Sequence, residues 1–241
     1  MQSKAVFVLS TAFIFVSAKV ADAQIVYNST QTPSRFSAGA DFAISQPKGA
    51  FAENVPTGYG FDLNGQFKLD PKGWLGIRAD MGGVQYGHEH IGLGFFGTRA
   101  IELNLDTNNR IEFVGLGFQL QFPDGWLRPY GNASYSGVHF TTESCVSNPD
   151  NLVEEVCRSN QGDWAGAGVF GGGLIIPFGK SFGALNLGAR YHYGAKATYL
   201  RKGDIIDNPD GSVTLNVRSS KTDLVLWQVG FSYNIPQPTR R

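Results

Sequence analysis

The sequence predicts an all-β protein: a single eight-stranded antiparallel up-and-down transmembrane β-barrel with short periplasmic turns and long extracellular loops. Three observations predict it. Eight segments alternate apolar and polar residues with a period of two. Their connections alternate strictly between long and short, as in outer-membrane barrels. The apolar face is also too bulky for the interior of so narrow a barrel.

The first residues read as an export signal. Lys4 gives a positive start, Ala5 to Ser17 an apolar stretch, and Ala21-Asp22-Ala23 a small-residue cleavage site. Residues 1–23 are therefore expected to be removed, and residues 24–241 to form one barrel domain. No later stretch approaches the roughly 20 apolar residues of a transmembrane helix. Net charge is zero, from 20 acidic and 20 basic residues, so nothing points to nucleic acid as a partner.

The first segment sets Phe36, Ala38, Ala40, Phe42 and Ile44 against Ser37, Gly39, Asp41, Ala43 and Ser45. The second sets Tyr59, Phe61, Leu63, Phe67 and Leu69 against Gly60, Asp62, Asn64, Gln66 and Lys68. The third opposes Leu75, Ile77, Ala79 and Met81 to Gly76, Arg78 and Asp80, with a bulge expected at Gly82-Gly83. In the fourth, Val114, Leu116, Phe118, Leu120 and Phe122 oppose Gly115, Gly117, Gln119 and Gln121. The fifth, Leu127 to Thr142, has Arg128, Tyr130, Asn132, Ser134 and Ser136 as its polar side. Gly171-Gly172-Gly173 leaves the phase of the sixth, Trp164 to Phe178, open. The seventh sets Leu185, Leu187, Ala189, Tyr191 and Tyr193 against Asn186, Gly188, Arg190 and His192. The eighth sets Val225, Trp227, Val229, Phe231, Tyr233 and Ile235 against Leu226, Gln228, Gly230, Ser232 and Asn234.

Alternation alone does not say which face is outside. A soluble barrel would turn its apolar face inward, but this one carries too many Phe, Tyr, Leu and Trp side chains to fit. The other face, mostly Gly, Ser, Asn and Gln, suits a narrow lumen filled by side chains. A soluble surface would also be denser in Lys and Glu. The apolar face is therefore expected to meet lipid.

Three connections are tight: Asp70-Pro71-Lys72-Gly73, Pro123-Asp124-Gly125 and Gly179-Lys180-Ser181. Four are long, running from about Gln46 to Pro56, Gly87 to Asn109, Glu143 to Gly162 and Lys196 to Asp223. Trp74 and Trp126 each directly follow a tight turn, where an interfacial aromatic girdle belongs. An even strand count lets the first and last strands close the barrel, with both termini on the periplasmic side.

These features resemble the small outer-membrane β-barrel family, the eight-stranded group typified by the OmpA transmembrane domain and the OmpX and opacity-type barrels. The last strand carries the sharpest resemblance. Gln228, Gly230, Tyr233 and Ile235 resemble the carboxy-terminal insertion signal read by the barrel assembly machinery, although Ile235 stands where an aromatic is usual and a polar tail follows. The resemblance implies residence in the outer membrane among its lipid and lipopolysaccharide, with the barrel assembly machinery as a partner during insertion.

Little in the sequence points to catalysis, and no cofactor is expected. Asp41, Asp62, Arg78, Asp80, Arg190 and His192 all fall on the lumen-facing side, and a charge-balanced network plugging the lumen is expected. His139, with Ser136 and Glu143 near it in sequence, is the closest approach to a rim Ser-His-acid set. His88-Glu89-His90 puts two imidazoles on one side of an extended segment, where a solvated loop is favoured over adventitious metal binding. Cys145 and Cys157 share the third long connection, and in an exported chain a disulfide is the natural reading. The fourth long connection contains Asp204-Ile205-Ile206-Asp207 and Ser212-Val213-Thr214-Leu215-Asn216-Val217, a hairpin turning at Pro209-Asp210-Gly211 and extending the last two strands beyond the membrane. The second exposes Ile91, Leu93, Phe95 and Phe96, a patch for a partner, a lipid surface or its own neighbours. The function expected is that of a non-enzymatic surface barrel using its long loops to contact a ligand or stabilise the envelope. The alternatives are a narrow pore and a rim enzyme modifying lipid A or phospholipid.

Overall fold

The structure, a computed structural model, describes residues 34–94, 102–147, 156–178, 183–208 and 212–236. The export signal, the turn at 179–181, the hairpin tip at 209–211, and Phe95 and Phe96 lie outside these residues. The chain runs β1 (Phe36–Pro47), α1 (Gly49–Ala52), β2 (Gly58–Lys68), β3 (Leu75–Gly94), β4 (Glu102–Gln121), β5 (Arg128–Ser147), β6 (Val156–Pro177) and β7 (Gly183–Gly194). It continues through β8 (Lys196–Tyr199), β9 (Ile205–Asp207), β10 (Val213–Leu215), β11 (Arg218–Lys221) and β12 (Leu224–Ile235).

Eight of these strands form a closed barrel in the order β1-β12-β7-β6-β5-β4-β3-β2. β1 and β12 close it antiparallel, in register from Phe36 opposite Ile235 to Pro47 opposite Leu224. Closure leaves no strand edge, which is what a sheet in hydrocarbon requires. No described helix is long and apolar enough to cross a membrane, so any crossing is by strands.

The outward face is apolar and exposed over the whole circumference, with Phe42, Phe61, Leu116, Phe118, Phe170 and Phe231 among its side chains. From Phe36 to Gln46 a strand rising about 3.3 Å per residue and tilted about 45° climbs roughly 23 Å, close to the apolar band of a membrane barrel. Exposure of this much aromatic surface is costly in water and favourable in lipid. The molecule is a transmembrane β-barrel of the outer-membrane type. The Gly-rich β6 also resolves its phase here: Ala167 and Val169 point inward, Trp164 and Phe170 outward.

At one end the connections are minimal. Gly73 adopts φ +81°, a left-handed conformation that favours glycine, and its N–H donates to the Asp70 carbonyl. The Asp70 carboxylate accepts from the Leu75 N–H at 2.7 Å, which holds it below the usual carboxylate range.

Three features depart from the sequence reading. The glycines at 82 and 83 make no bulge: pairing with β2 runs unbroken through them, and the irregularity lies between Gln85 and Gly87. The second and third long connections are mostly strand, since β3 to β6 span 20 to 22 residues whereas β1, β2, β7 and β12 span 11 or 12. Hydrophobic alternation fades where the strand leaves lipid, but the ladder continues through polar residues. Half of the wall therefore stands roughly 20 Å above the other half. The fourth connection folds into two small sheets, β8 with β11 and β9 with β10.

An arginine at outward Phe61 should cost about 2–4 kcal/mol of stability, because it places a charge in the lipid band. Arginine at inward Asn64 should follow a different pattern. Urea unfolding of both variants in lipid vesicles measures this, and equal costs would contradict the facing.

Candidate functional site

The barrel interior has two compartments. Towards the tight-turn end it is polar, because the inward positions of β1, β2, β3, β4, β7 and β12 there carry Asp, Asn, Gln and Arg. Asp41 and Asp62 sit directly opposite each other on β1 and β2, an unfavourable pairing unless a cation intervenes. Arg190 from β7 meets the Asp62 member of that pair, reaching Asp62 and Asp80 with its two terminal nitrogens at 2.8 Å each. Arg78 binds Asp80 at 2.7 Å and donates to Gln119 at 3.0 Å. Gln228, from the neighbouring β12, donates to the same Asp62 oxygen. Among the described residues Asp41 has no guanidinium partner at bonding distance and is held by the amides of Asn64 and Asn186, each at 2.8 Å. Polar atoms without a protein partner among the described residues include Asp62 Oδ1 and Arg190 Nε.

His192 belongs to the boundary between compartments. It is buried, makes no ion pair among the described residues, and meets the edge of the Phe113 ring at 5.6 Å. The Arg190 guanidinium lies 5.9 Å from the same ring. Phe113 is thus the floor of what lies above.

Above Phe113 the lumen is apolar, which the polar-inside expectation did not anticipate. Val84, Tyr86, Ile111, Val138 and Phe140 point inward from the tall wall. Two connections cover them. The short helix α1 contributes Phe51, and the segment after β7 contributes Tyr199 and Leu200; all three are essentially without exposure. The Phe51 ring meets Tyr199 edge-on at 5.0 Å and Phe140 at 5.8 Å. Polar ties fix this plug. Tyr86 Oη donates to the Leu200 carbonyl at 2.7 Å, Lys48 N–H to the Asp223 carbonyl, and Thr198 N–H and Oγ to Asp163, both at 2.7 Å. Asp204 clasps the base of the small sheets, with Arg218 at 3.0 Å and Arg201 at 3.4 Å. Burial pushes its carboxyl up, but hydrogen bonds from Arg218 and the Arg201 backbone, with both guanidinium charges, outweigh this and hold it below the usual range.

The rim Ser-His-acid set does not assemble. Ser136 faces the lumen and is buried, whereas His139 faces outward, three residues on and on the other side of the wall. His139 instead stacks on Trp164 at 4.6 Å and meets Glu112 at 3.3 Å, while Glu143 lies 3.7 Å from Arg110. His88 and His90 lie on β3 rather than in a loop. Trp74 packs on Phe122 at 5.0 Å, and Trp126 projects outward at the tight-turn end. Cys145 and Cys157 form a disulfide between paired positions of β5 and β6. The four residues of the terminal signature divide by face. Gln228 and Gly230 point inward, and a Cβ at Gly230 would stand 2.1 Å from the Ala40 carbonyl across the closing seam. Tyr233 and Ile235 point outward.

No family model and no curated protein matches the chain. Among solved structures, Neisserial surface protein A is similar at 14% identity, covering 84% of this chain and 98% of that one with a TM-score of 0.45. The outer membrane protein OprG from Pseudomonas aeruginosa is similar at 15% identity, covering 86% and 98% with a TM-score of 0.44. Ail, the attachment invasion locus protein of Yersinia pestis, is similar at 14% identity, covering 84% and 98% with a TM-score of 0.39. The barrel assignment rests on the closed hydrogen-bonded ring and its apolar exterior.

Removing Arg190 leaves Asp62 and Asp80 to Arg78 alone, which stands 2.7 Å from Asp80 but 3.9 Å from Asp62. Arg190→Met should cost about 3–5 kcal/mol in denaturant unfolding of the vesicle-inserted protein. The Asp204 clasp carries a pH dependence. Its lowered carboxyl stabilises the clasp fully above the ordinary carboxylate value of about 4, and the contribution is lost as pH falls through the lowered value. The protection factor of the Arg201 amide, whose N–H donates to the Asp204 carboxylate, should therefore fall on acidification, and Asp204→Asn should show the lower protection already at neutral pH.

Proposed function

We propose that this protein is a non-enzymatic outer-membrane barrel with a closed lumen, and that its long-connection end is an extracellular platform for surface contact. The observation carrying this reading is the apolar plug of Phe51, Phe140, Tyr199 and Leu200 above the buried ion pairs. An ion passing along the axis would have to shed its water against aromatic rings and then displace Arg190 from two carboxylates. Both steps are prohibitive, so a pore is disfavoured. The separation of Ser136 from His139 removes the sequence basis for a rim enzyme.

The export signal and tight turns support an orientation with termini and turns in the periplasm. In this reading residues 1–23 are cleaved, outer-membrane lipid and lipopolysaccharide surround the belt, and the barrel assembly machinery reads the last strand during insertion. The tall wall and the small sheets of the fourth connection then face the exterior, where a surface ligand would dock.

Two measurements test this. The wild-type protein should show no stable conductance steps in planar bilayers, and the Phe51→Ser/Tyr199→Ser double variant should also stay closed, because Arg190 still holds Asp62 and Asp80 below the plug; stable wild-type steps would sink the closed-lumen reading. An epitope inserted after Gly203 should be labelled on intact cells. Labelling only after permeabilisation would reverse the orientation.

A further inference from the structure

At the tight-turn end the lumen opens in a small mouth whose walls include Ser37, Gln66, Arg78, Gln121, Arg128 and Asn234, and no carboxylate among the described residues lines it. Two cations stand there on inward positions. Lys68 of β2 donates from Nζ to Asn234 Oδ1 at 3.1 Å, and Arg128 of β5 donates from Nε to the Gly125 carbonyl at 3.3 Å. Neither forms an ion pair among the described residues. Asp70, on the adjoining turn, has its carboxylate turned to the Leu75 N–H. Across the polar compartment Asp41, Asp62 and Asp80 face Arg78, Arg190, Lys68 and Arg128. Counting His192 as neutral, one positive charge is left without a counter-charge in a narrow space.

A guanidinium can only donate, and this fixes the direction of the amide chain beside the mouth. Arg78 Nη1 donates to Gln119 Oε1 at 3.0 Å, so the nitrogen of Gln119 faces the other way. Gln119 Nε2 donates to Gln121 Oε1 at 2.9 Å and to Gln66 Oε1 at 3.4 Å. The Gln66 oxygen therefore belongs to the chain, and its nitrogen turns away from it. Gln66 is only 8% exposed, yet its Nε2 has no partner among the described residues. It hangs over Gly76, one pair nearer the tight turns, where a Cβ would stand 2.7 Å from it. A buried donor without an acceptor thus faces a mouth that two cations flank.

We propose that this mouth binds one chloride-sized inorganic anion, held by Lys68 Nζ, the Arg128 guanidinium and the hydrogens of Gln66 Nε2. Cationic and amide N–H groups are the donors that recognise such an ion. Size and charge agree with it. The space is about 30 Å³, room for one compact ion or a few waters but not for an organic anion. A single negative charge also cancels the one uncompensated positive charge. The bound ion joins β2 to β5 across the lumen and closes its lower end, as the aromatic plug closes the upper.

The test uses the mature barrel, labelled with nitrogen-15 and folded in zwitterionic detergent micelles, with heat-modifiable gel mobility as the check on folding. Sodium chloride replaces sodium gluconate at constant ionic strength, so that general screening stays fixed. The Gln66 side-chain amide and the Gly76 backbone amide should shift along a saturable one-site curve. Lys68→Met and Arg128→Met should each weaken binding at least about tenfold, the loss of one charge-assisted hydrogen bond. Gln66→Glu places a fixed negative charge beside the ion's position, and the Gly76 amide should then no longer respond to chloride. Arg110→Met, which removes an outward cation remote from the mouth, should leave the curve unchanged. No saturable shift in the wild type, or the same curve in the Lys68→Met/Arg128→Met double variant, would overturn the proposal.

Discussion

The ladder between β1 and β12 is the interaction on which the rest of the molecule depends. A backbone in hydrocarbon has no water to satisfy its N–H and C=O groups, so a sheet there is stable only if its first and last strands meet. Closing at eight strands makes the interior narrow enough for side chains to fill. The narrow interior in turn dictates which residues line it. Glycines appear where partner strands or side chains press close, as at Gly230 beside the Ala40 carbonyl. Every charge that enters must be met by a counter-charge or by amides, as Asp62, Asp80 and Asp41 are. Outward positions, freed from these limits, carry the bulk.

Those linked demands explain what was legible in the sequence. The period of two gave the eight barrel segments, and side-chain bulk gave their facing, because an aromatic face cannot fit inside. The inward placement of Asp41, Asp62, Arg78, Asp80, Arg190 and His192 follows from parity alone. Parity could not say which acid each arginine meets, since that depends on stagger between strands. It also failed at Gly171-Gly172-Gly173, where there is no side chain to alternate. The space left at Gly173 and Gly188 is taken by Tyr130, whose hydroxyl would lie within 2.7 Å of a Cβ at either position.

Two misreadings share a cause. Hydrophobic alternation reports a boundary between lipid and a polar interior, and both the tall wall and the plug lie beyond that boundary. In the tall wall both faces tolerate polar residues, so β3 through His88-Glu89-His90 reads as loop although it is strand. In the plug the inward face is itself apolar, so Tyr86, Ile111 and Phe140 break the polar-inside rule. Their partners, Phe51 and Tyr199, sit in connections where an isolated aromatic carries no periodic signal. The rim Ser-His-acid reading failed for a simpler reason: residues three apart on a strand point to opposite sides.

The uneven wall gives the barrel a front and a back. An evenly trimmed cylinder would look alike from every direction within the plane of the bilayer, and spinning about the membrane normal would change nothing for a neighbour. Here β3 to β6 rise on one side and the 11- or 12-residue strands stop short on the other. Anything that grips the raised side fixes the azimuth of the whole molecule. Two barrels held by a common partner would therefore be locked in rotation as well as in distance.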